Sequence, residues 1–325
     1  MKETETTLAK TISVAGVNAA YDNACKRILS DKNILAWIMK SCLPEYKTCS
    51  VDEIAANYIE GEPQISDIAV HQDEQKNSSR IQGMNTEDVS INEGTVTYDI
   101  RFYALAPVSG ERIRLIINVE AQNDFYPGYP VVKRNIYYCS RLISSQHGTE
   151  FEGSHYEQIK KVYSIFICME PPKYRRNTIN CYSIQEENVI GNAKEKKENY
   201  DLMTAVMLCL GVKDDEEVSG ILRLLEVLLS SERNAEEKKK ILQEEYGIEM
   251  TKKLDKEVSE MCNLSKGVEA RGMQKGMQKG IQKGIQKGIL SSIQTLMVTM
   301  SWTVEQAMDA LKVPQKDRIK YLEKL

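Results

Sequence analysis

Two blocks of alternating apolar and polar residues stand out at 95–122. TVTYDIRFYA and RIRLIINVEAQ each read as strands, and PVSGE between them reads as a hairpin connection. Upstream, residues 17–60 read as two helices. The first carries Ile28, Leu35, Ile38 and Met39 at near-helical spacing and stops before Pro44. The second opens on Ser50 with Glu53 three residues on, a capping-box spacing, and runs to Gly61. The polar, Gly/Asn/Ser-rich residues 71–95 predict a loop. Downstream, NDFYPGYP is a stiff loop, and Val132, Ile136, Cys139 and Ile143 predict a helix over 131–145. The apolar run VYSIFICM (162–169) predicts a buried strand, and 179–184 an edge strand.

Beyond about 190 the pattern changes. Residues 191–265 predict a charged helical region, with Leu222, Leu225 and Leu229 on one face. A four-residue repeat follows, GMQKGMQKGIQKGIQKG, making 266–288 a Gly/Lys/Gln linker. Thr303 and Gln306 form a second capping-box spacing in a small helical segment, 289–325, where Pro314 separates two helices. Residues 1–190 are thus the expected first domain.

Charge sharpens this division. The chain is −4 overall, yet 186–260 carries 12 basic and 19 acidic side chains, whereas 261–325 carries 11 basic and 5 acidic. Any phosphate attraction therefore comes from the basic tail or a local patch. The three histidines (71, 147, 155) sit in no nucleophile or metal motif, and the eight cysteines form no CxxC pair. Those cysteines fit small buried hydrophobes in a reducing compartment. No run approaches the roughly 20 apolar residues of a membrane span. MKETETTLAK lacks a signal peptide's apolar stretch, so a cytoplasmic protein is expected, without a membrane partner.

The hairpin has a testable register. A two-residue Ser109-Gly110 loop sets Val108 against Glu111 and, further down, Asp99 against Glu120. Ile100 then faces Val119 and Phe102 faces Ile117, with Asp99, Arg101, Asn118, Glu120 and Gln122 on the other surface. Directly opposed residues have Cβ atoms about 5 Å apart, and like charges placed so are destabilising. A cation between them removes that penalty, and Mg²⁺ takes one or two carboxylates with water and substrate phosphate. Gln122, on the same face, is a candidate to orient an attacking water. Alternatively, the polar face is simply the wet side of the hairpin, with Arg101 neutralising both acids. A bulge near Pro107 would also shift the register and separate the two acids.

The stretch YDIRFYALAP, then INVEAQNDFYPGYPVVKRNIYYCSRLIS, then KKVYSIFIC, resembles the PD-(D/E)xK nuclease family transposases, which are related to the recombination-promoting nucleases of bacteria. The similarity covers roughly residues 20–185. It implies an α/β (α+β) fold with a restriction-endonuclease-like αβββαβ core and mixed sheet, a divalent cofactor (Mg²⁺ or Mn²⁺), and DNA cleavage. The family's acidic ligands fall on Asp99 and Glu120. At the third position, where the superfamily has Lys, this chain has Gln122, an ExQ form that recurs among these relatives. A neutral amide does not stabilise developing negative charge as an ammonium does.

Other candidates are weaker. Arg134 and Arg141 on helix 131–145 are candidates to hold phosphates, or belong to a solvated basic face. Phe125, Tyr126 and Tyr129 stack against bases or pack on the sheet. Glu60 is a candidate additional acid from the N-terminal helices. Lys275, Lys279, Lys283 and Lys287 make either a basic DNA-contacting ridge on a helix or a flexible tether. The resulting expectation is a metal-dependent endodeoxyribonuclease, with DNA as partner and a homodimer as candidate assembly. The alternative is a non-catalytic nucleic-acid-binding or assembly protein retaining the nuclease fold.

Overall fold

The structure is a computed structural model describing residues 19–66, 87–90, 94–107, 113–213, 218 and 220–322. The chain divides into two compact units between Ser265 and Lys266.

The first unit begins with helix α1 (residues 19–29) and α2 (Lys32–Cys42). They are separate because Asp31 is an N-cap, its carboxylate accepting from Asn33 N–H. Ser50 likewise accepts from Glu53 N–H, yet the helix it opens is one turn, α3 (Val51–Glu53), followed by a π-turn (Ile54–Tyr58). Strand β1 (Ile59–Ile65) takes over at Ile59, so the second expected helix ends short of Gly61. Gly61 has φ +61° at an irregularity between Glu60 and Gln64, and Pro63 is tolerated there because β1 is an edge strand.

Most of the 71–95 loop lies outside the described residues, but β2 (Glu87–Ser90) and β3 (Gly94–Thr97) pair as a small ribbon. The main hairpin is β4 (Ile100–Ala106) and β5 (Ile113–Gln122). Its register is the expected one: Ile100 faces Val119 and Phe102 faces Ile117. The Ser109-Gly110 turn lies outside the described residues. Helix α4 (Val131–Ser144), strand β6 (Val162–Cys168) and edge strand β7 (Thr178–Ser183) follow as the pattern predicts.

Strand β8 (Met203–Cys209) corrects the expected boundary at 190. It lies between β6 and β7 in a six-stranded sheet of order β1-β4-β5-β6-β8-β7. β5, β6 and β8 run parallel, while β1–β4, β4–β5 and β7–β8 are antiparallel. The "charged helical region" thus supplies an interior strand, followed by the apolar α5 (Gly220–Leu229) and the charged α6 (Ala235–Tyr246). Charged flanks on both sides hid a seven-residue apolar run that only a neighbour from an earlier part of the chain makes a strand.

The sheet is covered on both faces. One face packs Ile100, Phe102, Ile117, Val119 and Ile165 with residues of α1, α2 and α5 such as Leu29, Leu35 and Leu225. The other packs Ile116, Phe166 and Met207 against Val131, Tyr138 and Leu142 of α4. Asn135 Nδ2 donates to Val206 O at 2.9 Å, tying α4 to β8.

Residues 266–288 are helical, lying within α7 (Lys252–Met300), so of the two readings of the repeat the structure has the helix rather than the flexible tether. Repeating Gly weakens a helix without removing its backbone hydrogen bonds, and the intervening Gln, Lys, Met and Ile include good helix formers. In the second unit, Ile293 of α7 forms a small core with residues of α8 (Val304–Ala310) and α9 (Gln315–Leu322), namely Ala307, Met308 and Tyr321. Thr303 and Gln306 make the expected capping box at 3.3 and 2.9 Å. No described helix is long and apolar enough to cross a membrane.

Candidate active site

The hairpin register places Asp99 opposite Glu120, one step beyond the last β4–β5 pair. Side chains replace the ladder there. Asp99 N–H donates to Glu120 Oε1 at 3.0 Å, and Ala121 N–H donates to Asp99 Oδ2 at 3.1 Å. Asp99 is 4% exposed and Glu120 3%, so the alternative of a merely wet face does not describe these two acids.

The counter-charge comes from an unexpected residue. Lys26 of α1 is fully buried, with its Nζ 2.9 Å from Asp99 Oδ1 and 2.9 Å from Asp22 Oδ2. Burial pulls the ammonium downward, but the Asp99 and Asp22 carboxylates outweigh it and hold it above its ordinary value. Burial pushes Asp99 above the usual carboxylate range, against the pull of Lys26. Burial and the charge of Asp99 push Glu120 well above that range, against the Asp99 N–H and Arg134. A cation added between the two acids therefore meets groups whose charged forms the protein alone does not fully stabilise.

Gln122 is buried beside them, and its amide is engaged at both ends. Oε1 accepts from Arg134 Nη2, and Nε2 donates to Asp124 O. Gln122 thereby fixes Arg134 and the following loop, using one amide hydrogen and one acceptor site of its side chain. Arg134 also donates to Tyr129 OH at 3.0 Å and lies over the Phe166 ring, 5.0 Å from its centroid. Arg101 neutralises neither acid in the contacts seen; its guanidinium lies over Tyr98 and contacts Ser145 Oγ.

The donor set has two hard carboxylates, and among the described residues no group of three His, Cys, Asp or Glu gathers to hold a metal. Two carboxylates completed by water and a substrate phosphate suit Mg²⁺ or Mn²⁺, so the chemistry of the pair fits the implied cofactor.

Comparison of the chain with protein-family models, with curated proteins and with solved structures returns no match.

The remaining candidates separate. Glu60 lies in β1 opposite Tyr103, four residues along β4 from Asp99, or roughly 13 Å at about 3.3 Å per residue. It is a strand residue outside the pair, because β1 forms the edge of the sheet beside β4 where a helix end was expected. Arg141, seven residues beyond Arg134 on α4, is buried and donates to Tyr137 OH, so it does not present itself as a phosphate contact. Tyr126 is 64% exposed on the loop after β5, and its hydroxyl meets Tyr174 OH at 3.4 Å. The four repeat lysines belong to the second unit. Lys287 is exposed, and the side chains of Lys275, Lys279 and Lys283 lie outside the described residues.

Sequence reasoning missed Lys26. Its signal was faint: Asp22 and Lys26 are an i,i+4 pair, a spacing common on solvated helices. Lys26 nevertheless sits on the stripe with Cys25 and Leu29, a face that α1 buries.

Proposed function

We propose that this protein is a metal-dependent DNA endonuclease of the transposase or recombination-promoting type, with a restriction-endonuclease-like core. The observation that carries the reading is the buried Asp99–Glu120 pair near the C-terminal end of β5. The order α2, β1, β4, β5, α4, β6 supports it, being the αβββαβ sequence with the β2–β3 ribbon inserted. Asp99 and Glu120 would hold a divalent cation, Mg²⁺ or Mn²⁺, which would supply Lewis-acid polarisation of the scissile phosphodiester and a more acidic water. Lys26 supplies beside Asp99 the fixed positive charge that Gln122 lacks at the superfamily's lysine position. Arg134, oriented by Gln122, brings a guanidinium to the same end of the strand for a non-bridging phosphate oxygen. The reading places the protein in the cytoplasm, acting on DNA as a homodimer; all eight cysteines are free thiols.

A second reading has one observation of its own. Lys26 already balances Asp99, as befits a protein that keeps the fold and binds nucleic acid without turnover. Nicking of supercoiled plasmid with and without Mg²⁺, by wild type and Glu120→Ala, separates the two. The nuclease reading expects Mg²⁺-dependent nicking lost in the variant. Equal nicking by both proteins, or none by a folded, DNA-binding wild type, refutes it.

A further inference from the structure

Strands β5, β6 and β8 end level with one another: Gln122 pairs with Cys168, and Cys168 with Cys209. Crevices beyond the carboxyl ends of parallel strands are where open α/β sheets bind ligands. Here the crevice is a cavity of about 460 Å³, within the roughly 300–1,000 Å³ typical of small-ligand pockets. Tyr126 and Tyr129 come from the loop after β5, Tyr174 and Arg175 from the turn after β6, and Tyr182 and Met207 from β7 and β8.

Tyr126 and Tyr174 are 64% and 73% exposed, with their hydroxyls in contact. Large aromatics left in water around one concavity mark an interaction site rather than a core. The lining offers ring faces, tyrosine hydroxyls and one guanidinium, and contains no Asn, Gln, Asp or Glu to read a base edge. Such a surface takes a flat aromatic ring by stacking, tolerant of which base it is. The cavity is also joined to the carboxylate site. Arg134 donates to Tyr129 OH in the cavity wall and to Gln122 two residues from Glu120.

We propose that this cavity receives one unpaired nucleobase of the strand whose backbone meets the Asp99–Glu120 pair, making the preferred substrate single-stranded or locally unpaired DNA. The proposal rests on the nuclease reading for the identity of the polymer. A base inside a stacked duplex does not reach into a concavity without being unstacked, at a cost that a single strand does not meet.

The test is equilibrium binding, without divalent metal, of a fluorescein-labelled 20-nucleotide single strand and the duplex of the same sequence. Wild type is expected to prefer the single strand. Tyr126→Ala and Tyr174→Ala are each expected to weaken single-strand binding by about 5- to 150-fold, and duplex binding by about twofold or less. Tyr126→Phe, which keeps the ring, is expected to bind as wild type. A 2-aminopurine base in the single strand is expected to be quenched by wild type and not by the alanine variants. Equal losses on both DNAs, no quenching, or no preference for the single strand overturns the proposal. Plasmid nicking is read in parallel. Nicking that survives with these binding results absent leaves the nuclease reading standing and the pocket refuted. Quenching and single-strand preference with no nicking by wild type leave the pocket standing and refute the nuclease.

Discussion

Lys26→Met is the most informative single change, because it removes a charge while nearly keeping the shape of a side chain that has no exposed surface. It breaks two ion pairs of 2.9 Å. The partner Asp22 is 25% exposed, so water replaces most of that interaction, worth about 0–1 kcal/mol. Asp99 has only 6% of its side chain exposed, and removing one partner of a buried pair typically costs about 3–5 kcal/mol. Protonation limits the loss: burial already pushes the Asp99 carboxyl upward, so the loss is largest at neutral pH and shrinks toward the carboxylate range. Urea unfolding in a Trp302→Phe background reads the first unit through Trp37, whose ring meets Tyr246 edge-on at 5.4 Å. Lys26→Met is expected to lose about 3–5 kcal/mol, and Lys26→Met with Asp99→Asn to recover most of it. Mg²⁺ is expected to restore part of the single variant's stability, since a divalent cation supplies the missing charge. A loss below about 1 kcal/mol, the range of an exposed pair, or losses that simply add in the double variant, would refute the pairing as the origin of the effect.

The pH response follows from Glu120, whose carboxyl is held well above its ordinary value by burial and by Asp99. Its contribution is complete below the ordinary range of about 4 and is lost as pH rises through the raised value. Metal-free stability should therefore fall across that window, and melting curves of Glu120→Gln should lack this slope. Glu120→Ala should stay folded, whereas Asp99→Ala should lose stability by stranding Lys26, read in the same urea titration. Leu225→Ala in α5 should cost about 2–5 kcal/mol and the half-buried Leu222→Ala clearly less, as Trp37 emission reports; equal small effects would detach α5 from the core. In α7, a Cβ on Gly280, Gly284 or Gly288 meets nothing within 4 Å. Alanine at each should raise helix stability by up to about 1 kcal/mol, read by circular dichroism. A fall would mean that another surface closes on these glycines.

The local rules of the chain fixed a good deal. Period-two alternation set the β4–β5 register and with it the meeting of Asp99 and Glu120, because a pleated strand allows only two faces and a slip would expose Ile100 and Val119. Apolar spacing identified α4 and β6, and Thr303 with Gln306 announced a cap whose partners are three residues apart. Contacts distant in sequence decided the rest. β8 is a strand because β6, some forty residues earlier, offers it a parallel ladder, and no local signal encodes that pairing. Glu60 left the site because β1 pairs across Tyr103. Lys26 entered it because α1 packs over the sheet and presents an ammonium to a carboxylate 73 positions away in the chain. A lysine's periodicity looks the same whether its charge ends in water or against a buried acid, and only the tertiary structure supplies the acid.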